Sequence, residues 1–114
     1  MSKRSATILV DDIWDAIERI ERYTQALTQD GFVDDNKTSD AVVRNLEIIG
    51  EAANRLPEEF VTKYSEIEWP KIVGLRHRIV HDYFGVDLNI IWEILQKDLP
   101  ALKKSLHVIR KDFT

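Results

Sequence analysis

Cysteine is absent from this chain of 114 residues, which excludes both a disulfide framework and a thiolate metal site. The absence fits a reducing cytoplasm, which is the compartment in which we expect the protein. No apolar run approaches the roughly 20 residues that a membrane span needs, so no membrane association is expected. The N-terminal segment MSKRSATILV has only a short apolar end and is not expected to act as a signal peptide.

Glycine and proline are also scarce, with four and three copies. No segment has the composition of a linker, a repeat or a low-complexity tract. Hydrophobic residues make up 44% of the chain and charged residues 32%, which is typical of a folded protein. We therefore expect residues 1–114 to form a single domain.

Positive charge is in the minority, because 20 acidic residues stand against 16 Lys and Arg and give a net charge of −4. That balance argues against a protein that coats nucleic acid by bulk electrostatics. The charge is unevenly distributed, however. No Asp or Glu occurs between Trp69 and His81, whereas Lys71, Arg76 and Arg78 all lie there. The stretch is a local basic island on an acidic chain.

Apolar residues recur at intervals of three and four along most of the chain, which predicts an all-α fold. We expect an antiparallel bundle of four to five helices. The first helix has its apolar face over 10–27 and is predicted to end at Asp30-Gly31. A loop is predicted over 34–40 (DDNKTSD), where Thr38 or Ser39 would cap the second helix.

Proline and glycine punctuate the second half of the chain. Pro57 suits the first turn of a short third helix, and Pro70 can begin the helix that continues to Gly85. Asp87 is a plausible N-cap for the last helix, whose leucines follow the spacing of a bundle seam. Pro100 lies inside that seam, so a kink or a break between two helices is expected there.

The stretch GLRHRIVHDYFGVD (74–87) contains the candidate functional residues. On one continuous helix, Arg76 would lie in the middle of the apolar face. A guanidinium cannot shed its charge, so Arg76 requires a carboxylate, a subunit interface or a bound anion. One interpretation pairs it with Glu47 or Glu51 of the second helix and makes His77 and His81 surface residues near a helix C-terminus.

The two histidines also have the i, i+4 spacing of zinc ligands on a helix. The sequence offers no clear third ligand for such a site. We therefore expect neither a metal nor another cofactor.

Arg76-x4-His81-x-Tyr83, with a polar residue directly after the arginine, resembles the R-x4-H-x-Y signature of HepT-like toxins, which belong to the HEPN superfamily. Both flanks strengthen the likeness. GLRHRIVHDYFGVD as a block resembles the family's hallmark helix, and RNLEIIGEAANRLPEEF (44–60) resembles the helix before it. The likeness spans nearly the whole chain.

The resemblance implies a HEPN-like helical fold and an endoribonuclease that needs no metal. It implies a homodimer in which the motif helices face each other across a cleft. It further implies the toxin of a type VII toxin–antitoxin pair, whose antitoxin is a minimal nucleotidyltransferase of the MntA kind. Family members studied are neutralised by transfer of AMP to the motif tyrosine, which matches Tyr83 here.

The residue types suit that chemistry. An imidazole such as His81 suits general acid–base catalysis near neutral pH. A guanidinium such as Arg76 suits bidentate binding of phosphate and stabilisation of developing charge. His77 and Arg78 are expected to line the cleft as supporting or RNA-contacting residues.

Three residues of the second helix, Asn45, Glu47 and Glu51, are candidates to orient the arginine or the histidine.

Two alternatives remain open from the sequence. One is a non-catalytic helical subunit that presents Tyr83 to a minimal nucleotidyltransferase. The other is a plain dimerising bundle without a ligand. An arginine on an apolar face favours the ribonuclease, because a pure scaffold has little need of it.

Overall fold

Helices account for most of the described chain. The computed structural model describes residues 4–79 and 85–113. Its helical elements are α1 (Ala6–Thr24), α2 (Gln29–Asp34), α3 (Asn36–Asn54), α4 (Glu58–Lys63), α5 (Trp69–Val73), α6 (Leu75–Ile79), α7 (Leu88–Glu93), a π-helical segment (Ile94–Asp98) and α8 (Leu99–Lys111). This arrangement confirms the predicted all-α class and agrees with a HEPN-like bundle. None of the helices within the described residues is long and apolar enough to cross a membrane.

The core lies where α1, α3 and the helix formed by α7, the π-helical segment and α8 pack together. Its largest fully buried side chains are aliphatic, apart from one phenylalanine: Leu9, Ile13, Ile17, Ile20, Phe32, Leu46, Ile49, Ile91, Ile94, Leu106 and Ile109. Within α1 they recur at three and four residues, as the sequence pattern predicted. Their removal from water is the main stabilising contribution to the bundle.

Two ion pairs show that α1 and α8 run antiparallel. Asp11, near the start of α1, pairs with Arg110 near the end of α8 at 3.2 Å. Glu21, near the end of α1, pairs with Lys103 near the start of α8 at 2.7 Å. Both pairs are partly exposed, so they contribute to orientation more than to stability.

The segment between the first two long helices differs from the prediction. Asp30-Gly31 does not end a helix but lies inside α2, which begins because Thr28 accepts a hydrogen bond from Gly31 N at 3.1 Å. The predicted loop over 34–40 is also wrong, since α3 starts at Asn36. Its N-cap is Asp35, whose carboxylate accepts from Thr38 N at 3.0 Å, so Thr38 and Ser39 are already helical.

The Asp35 cap makes stability depend on pH. Hydrogen bonds from the side chain and backbone of Thr38 hold the pKa of the Asp35 carboxyl below its usual value of 3.8. The folded protein favours the ionised form, so the stabilisation is present above 3.8 and is lost as pH falls through the lowered folded-state pKa. Asp35→Asn keeps a capping side chain without the charge. We expect it to lower the thermal unfolding midpoint at neutral pH, by a difference from wild type that shrinks in acid.

The matched control is Asp40→Asn, which removes an exposed carboxylate from the same helix. The difference in thermal unfolding midpoint between Asp40→Asn and wild type should not show the same dependence on pH. A difference for Asp35→Asn that stays constant from neutral to strongly acidic pH would contradict the assignment.

The last long helix passes Pro100 without breaking. Asp87 caps its start, as predicted, by accepting from Asn89 N and Ile90 N. The five residues before α8 are π-helical, and the N–H of Leu99 donates to the carbonyl of Ile94, five residues back. Pro100 has no N–H to donate, so a wider turn here spares the helix a break. The expected disturbance at Pro100 is therefore a change of helical pitch beside it, not a separation into two helices.

Candidate active site

The predicted motif helix is divided in two. A single helix from Pro70 to Gly85 was expected, but α5 ends at Val73 and α6 begins at Leu75. The bend lies at Gly74, where a Cβ would approach the carbonyl oxygen of Pro70 to 3.2 Å. That separation is tighter than ordinary van der Waals contact, which explains a glycine at the bend.

The inner face of this motif arm, defined as α5 and α6 together, is anchored in the core. Trp69, Ile72 and Leu75 are all buried and recur every three residues. The indole Nε1 of Trp69 donates to the carbonyl oxygen of Tyr64 at 3.0 Å, so its polar edge is satisfied. The arm therefore has a fixed inner face directly before Arg76.

Helix α3 closely approaches the arm at Gly50. A Cβ at Gly50 would lie 3.5 Å from the carbonyl oxygen of Ile72 and 3.6 Å from that of Val73. An alanine would just fit there, whereas a longer side chain would push the two elements apart. Helix α3, which carries most of the family-like stretch 44–60, therefore supports the motif arm through direct backbone proximity.

The outer face of α6 is polar. His77 and Arg78 are both exposed. Arg78 Nη1 donates to Asp98 Oδ2 of the π-helical segment, and Lys71 Nζ of α5 lies 3.7 Å from Asp98 Oδ1. One carboxylate thus receives a cation from each side of the Gly74 bend.

The remaining predicted site residues are only partly described. The backbone of Arg76 belongs to α6, while its side chain, together with His81 and Tyr83, lies outside the described residues. Predictions about the contacts of Arg76, His81 and Tyr83 therefore remain predictions. Gly85, which was expected to end the helix, has a positive φ of 81°, a conformation that glycine adopts readily.

The candidate orienting residues, which were predicted on the second helix, lie on α3, and two of them have hydrogen-bond partners of their own. Asn45 is buried; its Oδ1 accepts from Arg19 Nε at 2.7 Å, and its Nδ2 donates to the carbonyl of Ala41. Glu51 accepts from Arg55 Nε at 3.0 Å in an exposed pair. Asn45 therefore ties α3 to α1, and Glu51 contributes to a local helix pair. Glu47 is half-buried on the same helix.

A cleft with a volume of about 180 Å³ lies between the motif arm and the last long helix. Its apolar floor includes Ile72, Leu75 and Leu102, and its rim includes Lys71, Arg78 and Asp98. Over residues 4–79 and 85–113, no group of three or more His, Asp or Glu side chains is arranged to hold a metal ion.

Asp98 is the residue that the sequence interpretation missed. It belongs to the last helix, outside the stretch that carries the motif, and its place depends on the π-helical turn. The only signal in the sequence is a carboxylate two residues before Pro100. Nothing in helical periodicity alone relates that carboxylate to Arg78.

Comparison with known proteins identifies a family for the chain. The family model described as "Ribonuclease HepT-like" matches residues 13–109. A protein of Thermococcus cleftensis named "Probable ribonuclease HepT" is 40% identical over 109 residues, covering 96% of this chain and 99% of its own. Two other relatives are named as candidate RNases. The one from Methanocaldococcus jannaschii is 38% identical, covering 98% of this chain and 93% of its own. The one from Caldanaerobacter subterraneus is 43% identical, covering 82% and 80%.

No solved structure matches the chain. The family match extends from the middle of α1 to the last turn of α8 and includes the whole motif arm. With this extent of similarity, the chain belongs to the HepT-like ribonuclease family.

Proposed function

We propose that this protein is a metal-independent endoribonuclease and the toxin of a type VII toxin–antitoxin pair. The observation that carries the proposal is the family match over residues 13–109, within which Arg76, His81 and Tyr83 reproduce the R-x4-H-x-Y pattern. The relatives named as ribonucleases support the RNA substrate. The docked motif arm supports a site on α6 and the residues that follow it.

RNA supplies its own nucleophile, which explains how such an enzyme can work without a metal. The 2′-OH attacks the adjacent phosphorus, the bond to the 5′-oxygen of the next nucleotide breaks, and a cyclic phosphate and a 5′-OH remain. One proton leaves the 2′-OH and one reaches the departing oxygen. His81 is proposed to transfer these protons, because an imidazole exchanges protons near neutral pH.

Arg76 is proposed to bind the reacting phosphate. The pentacoordinate phosphorane carries more negative charge on its oxygens than the starting diester does. A guanidinium can donate two parallel hydrogen bonds to those oxygens, and it stabilises the charge most where the charge is greatest. We propose that the two-fold axis of a homodimer brings Arg76 of one subunit to His81 of its partner.

The exposed residues of α6 take supporting roles in this proposal. His77 is exposed directly after Arg76 and is proposed to contact the RNA backbone. Arg78 is bound to Asp98, so its proposed contribution is support of the helix.

Cleavage of RNA by purified protein in EDTA tests the function. We expect wild-type protein to cleave single-stranded and loop-containing RNA equally well with EDTA and with Mg²⁺, because no step requires a metal. DNA of the same sequence should stay intact, since it lacks the 2′-OH. Absence of cleavage by well-folded dimer on varied RNAs would reject the ribonuclease and favour the non-catalytic partner of a nucleotidyltransferase.

Tyr83 is the proposed site of neutralisation. Transfer of AMP from ATP joins the α-phosphorus to the tyrosine oxygen and releases pyrophosphate, while the hydroxyl proton passes to solvent. The attached nucleotide adds a bulky anion two residues from His81. An anion there would compete with the RNA phosphate for Arg76 and block the proposed cleft between the two motif helices of the dimer.

Tyr83→Phe separates modification from cleavage. We expect wild-type protein to lose cleavage by about tenfold or more after treatment with the antitoxin nucleotidyltransferase and ATP, because occupancy of the phosphate site blocks the substrate. Tyr83→Phe should take up no label from ATP and keep its own untreated rate. The matched control is Tyr23→Phe, which alters an exposed tyrosine of α1 and should be labelled and inhibited like wild type. Labelling of Tyr83→Phe at the wild-type level would contradict the assignment.

A further inference from the structure

Asp98 joins the two halves of the motif arm to the last long helix. Arg78 Nη1 of α6 donates to one carboxylate oxygen, and Lys71 Nζ of α5 lies 3.7 Å from the other. Lys71 and Arg78 are about two helical turns apart in sequence, on opposite sides of the Gly74 bend. Asp98 is therefore placed to hold the relative orientation of α5 and α6.

The π-helical turn gives Asp98 its direction. Each extra residue in a helical turn rotates the following side chains by about 100° relative to a regular α-helix. The bond from Leu99 N to the carbonyl of Ile94 places Asp98 at the end of that widened turn. The side chain is only 27% exposed and faces the motif arm across the cleft. A local departure from α-helical geometry thus directs a carboxylate toward the arm.

The charges around the cleft favour a structural pairing over a second RNA phosphate site. Lys71 and Arg78 contribute two positive charges to the lining, while Glu66, Glu68 and Asp98 contribute three negative ones. An RNA phosphate would have to displace Asp98 and approach the two glutamates. The side chain of Arg78 is 37% exposed, and its ion pair with Asp98 is therefore more favourable than binding of an RNA phosphate at this place.

We propose that Asp98 is a positioning residue for Arg76, and the proposal rests on the proposed ribonuclease function. Asp98 holds Arg78, and Arg78 is two residues from Arg76 in the same short helix. A five-residue helix has little stability of its own, so its orientation depends on its anchors. Leu75 anchors the inner face of α6 in the core, and Asp98 anchors the outer face. Together they fix the orientation of the α6 backbone, which includes Arg76.

Asp98→Ala tests the proposal, since alanine keeps the helix and removes the carboxylate. We expect kcat for RNA cleavage to fall about tenfold, because misplacing a phosphate-binding group by even 1 Å can cost up to about 10²-fold. KM should change by less than about twofold, because Asp98 touches no substrate. The matched control is Glu93→Ala, which removes an exposed ion pair with Lys97 from the same continuous helix. It should keep the wild-type kcat.

A double variant separates positioning from direct RNA contact. If Asp98 acts through Arg78, Asp98→Ala combined with Arg78→Gln should be no slower than the slower single variant. Multiplication of the two effects, or a raised KM with unchanged kcat for Asp98→Ala, would overturn the proposal.

Amide hydrogen exchange over Leu75–Ile79 keeps this test distinct from the test of the function itself. Asp98→Ala should exchange faster there, while α1 and α3 stay as in wild type. If wild-type protein cleaves no RNA, the ribonuclease proposal fails, and faster exchange alone would still support the anchoring of α6. Unchanged exchange in Asp98→Ala would overturn the anchoring, whether or not the wild type cleaves RNA.

Discussion

His81→Ala protein should cleave RNA about 10²–10⁴-fold more slowly than wild type, the usual range for loss of a general acid or base. Both proton transfers of the proposed reaction pass through this imidazole, and alanine leaves only water in its place. The effect should appear in single-turnover cleavage at saturating protein, where binding no longer limits the rate. Unfolding midpoints of the variant and wild type should agree closely, which would separate lost chemistry from lost folding.

The chain provides a matched histidine. His107 is exposed on α8, where its ring lies 6.3 Å from the ring of Trp14, far along the chain from the motif. His107→Ala should cleave RNA at the wild-type rate. Equal rates for His81→Ala and wild type would remove His81 from the mechanism.

Mixing two inactive variants should restore activity if the site is shared between subunits. Arg76→Ala and His81→Ala protomers, unfolded and refolded together in equal amounts, would form mixed dimers as half of the population. One of the two sites in each mixed dimer would join an intact arginine to an intact histidine. About a quarter of the wild-type activity is therefore expected, because a two-fold symmetric dimer has two equivalent sites, and only one site in each mixed dimer is intact.

The control for this experiment is each variant refolded alone, which should stay inactive. A site contained within one subunit would give no recovery in the mixture, because every subunit would still lack one group. That result would leave the catalytic residues in place and reject the shared site. Recovery is a large signal against a low background, so the two arrangements are easily told apart.

Periodicity predicted much of the fold, because burial of an amphipathic face is a property of sequence spacing. The buried face of α1 and the seam of the last helix follow directly from it, although α1 ends at Thr24 and not at Asp30-Gly31. The Asp87 cap follows from the preference of aspartate for the N-cap position. The segment around Asp30-Gly31 does not, since a short helix depends on single hydrogen bonds such as the one accepted by Thr28. The Asp35 cap was likewise not predicted, because the first turn of α3 is polar and hydrophobic periodicity alone assigns such a segment to a loop.

The site separates in the same way into local and tertiary parts. Arg76, His77, Arg78, His81 and Tyr83 can be recognised from sequence because their spacing is a local pattern. Asp98 cannot, because its approach to Arg78 requires both the bend at Gly74 and the π-helical turn before Pro100. Such supports depend on the relative placement of distant segments, which no periodicity encodes.

The most direct test of the ribonuclease proposal is the chemistry of the product ends formed by wild-type protein in EDTA. We predict 2′,3′-cyclic phosphate on the upstream fragment and a free 5′-OH on the downstream fragment, with about 10²-fold or more less of each when His81→Ala replaces the wild type in EDTA. Products with a 5′-phosphate, or cleavage that stops in EDTA and returns with Mg²⁺, would contradict attack by the 2′-OH and the metal-free mechanism.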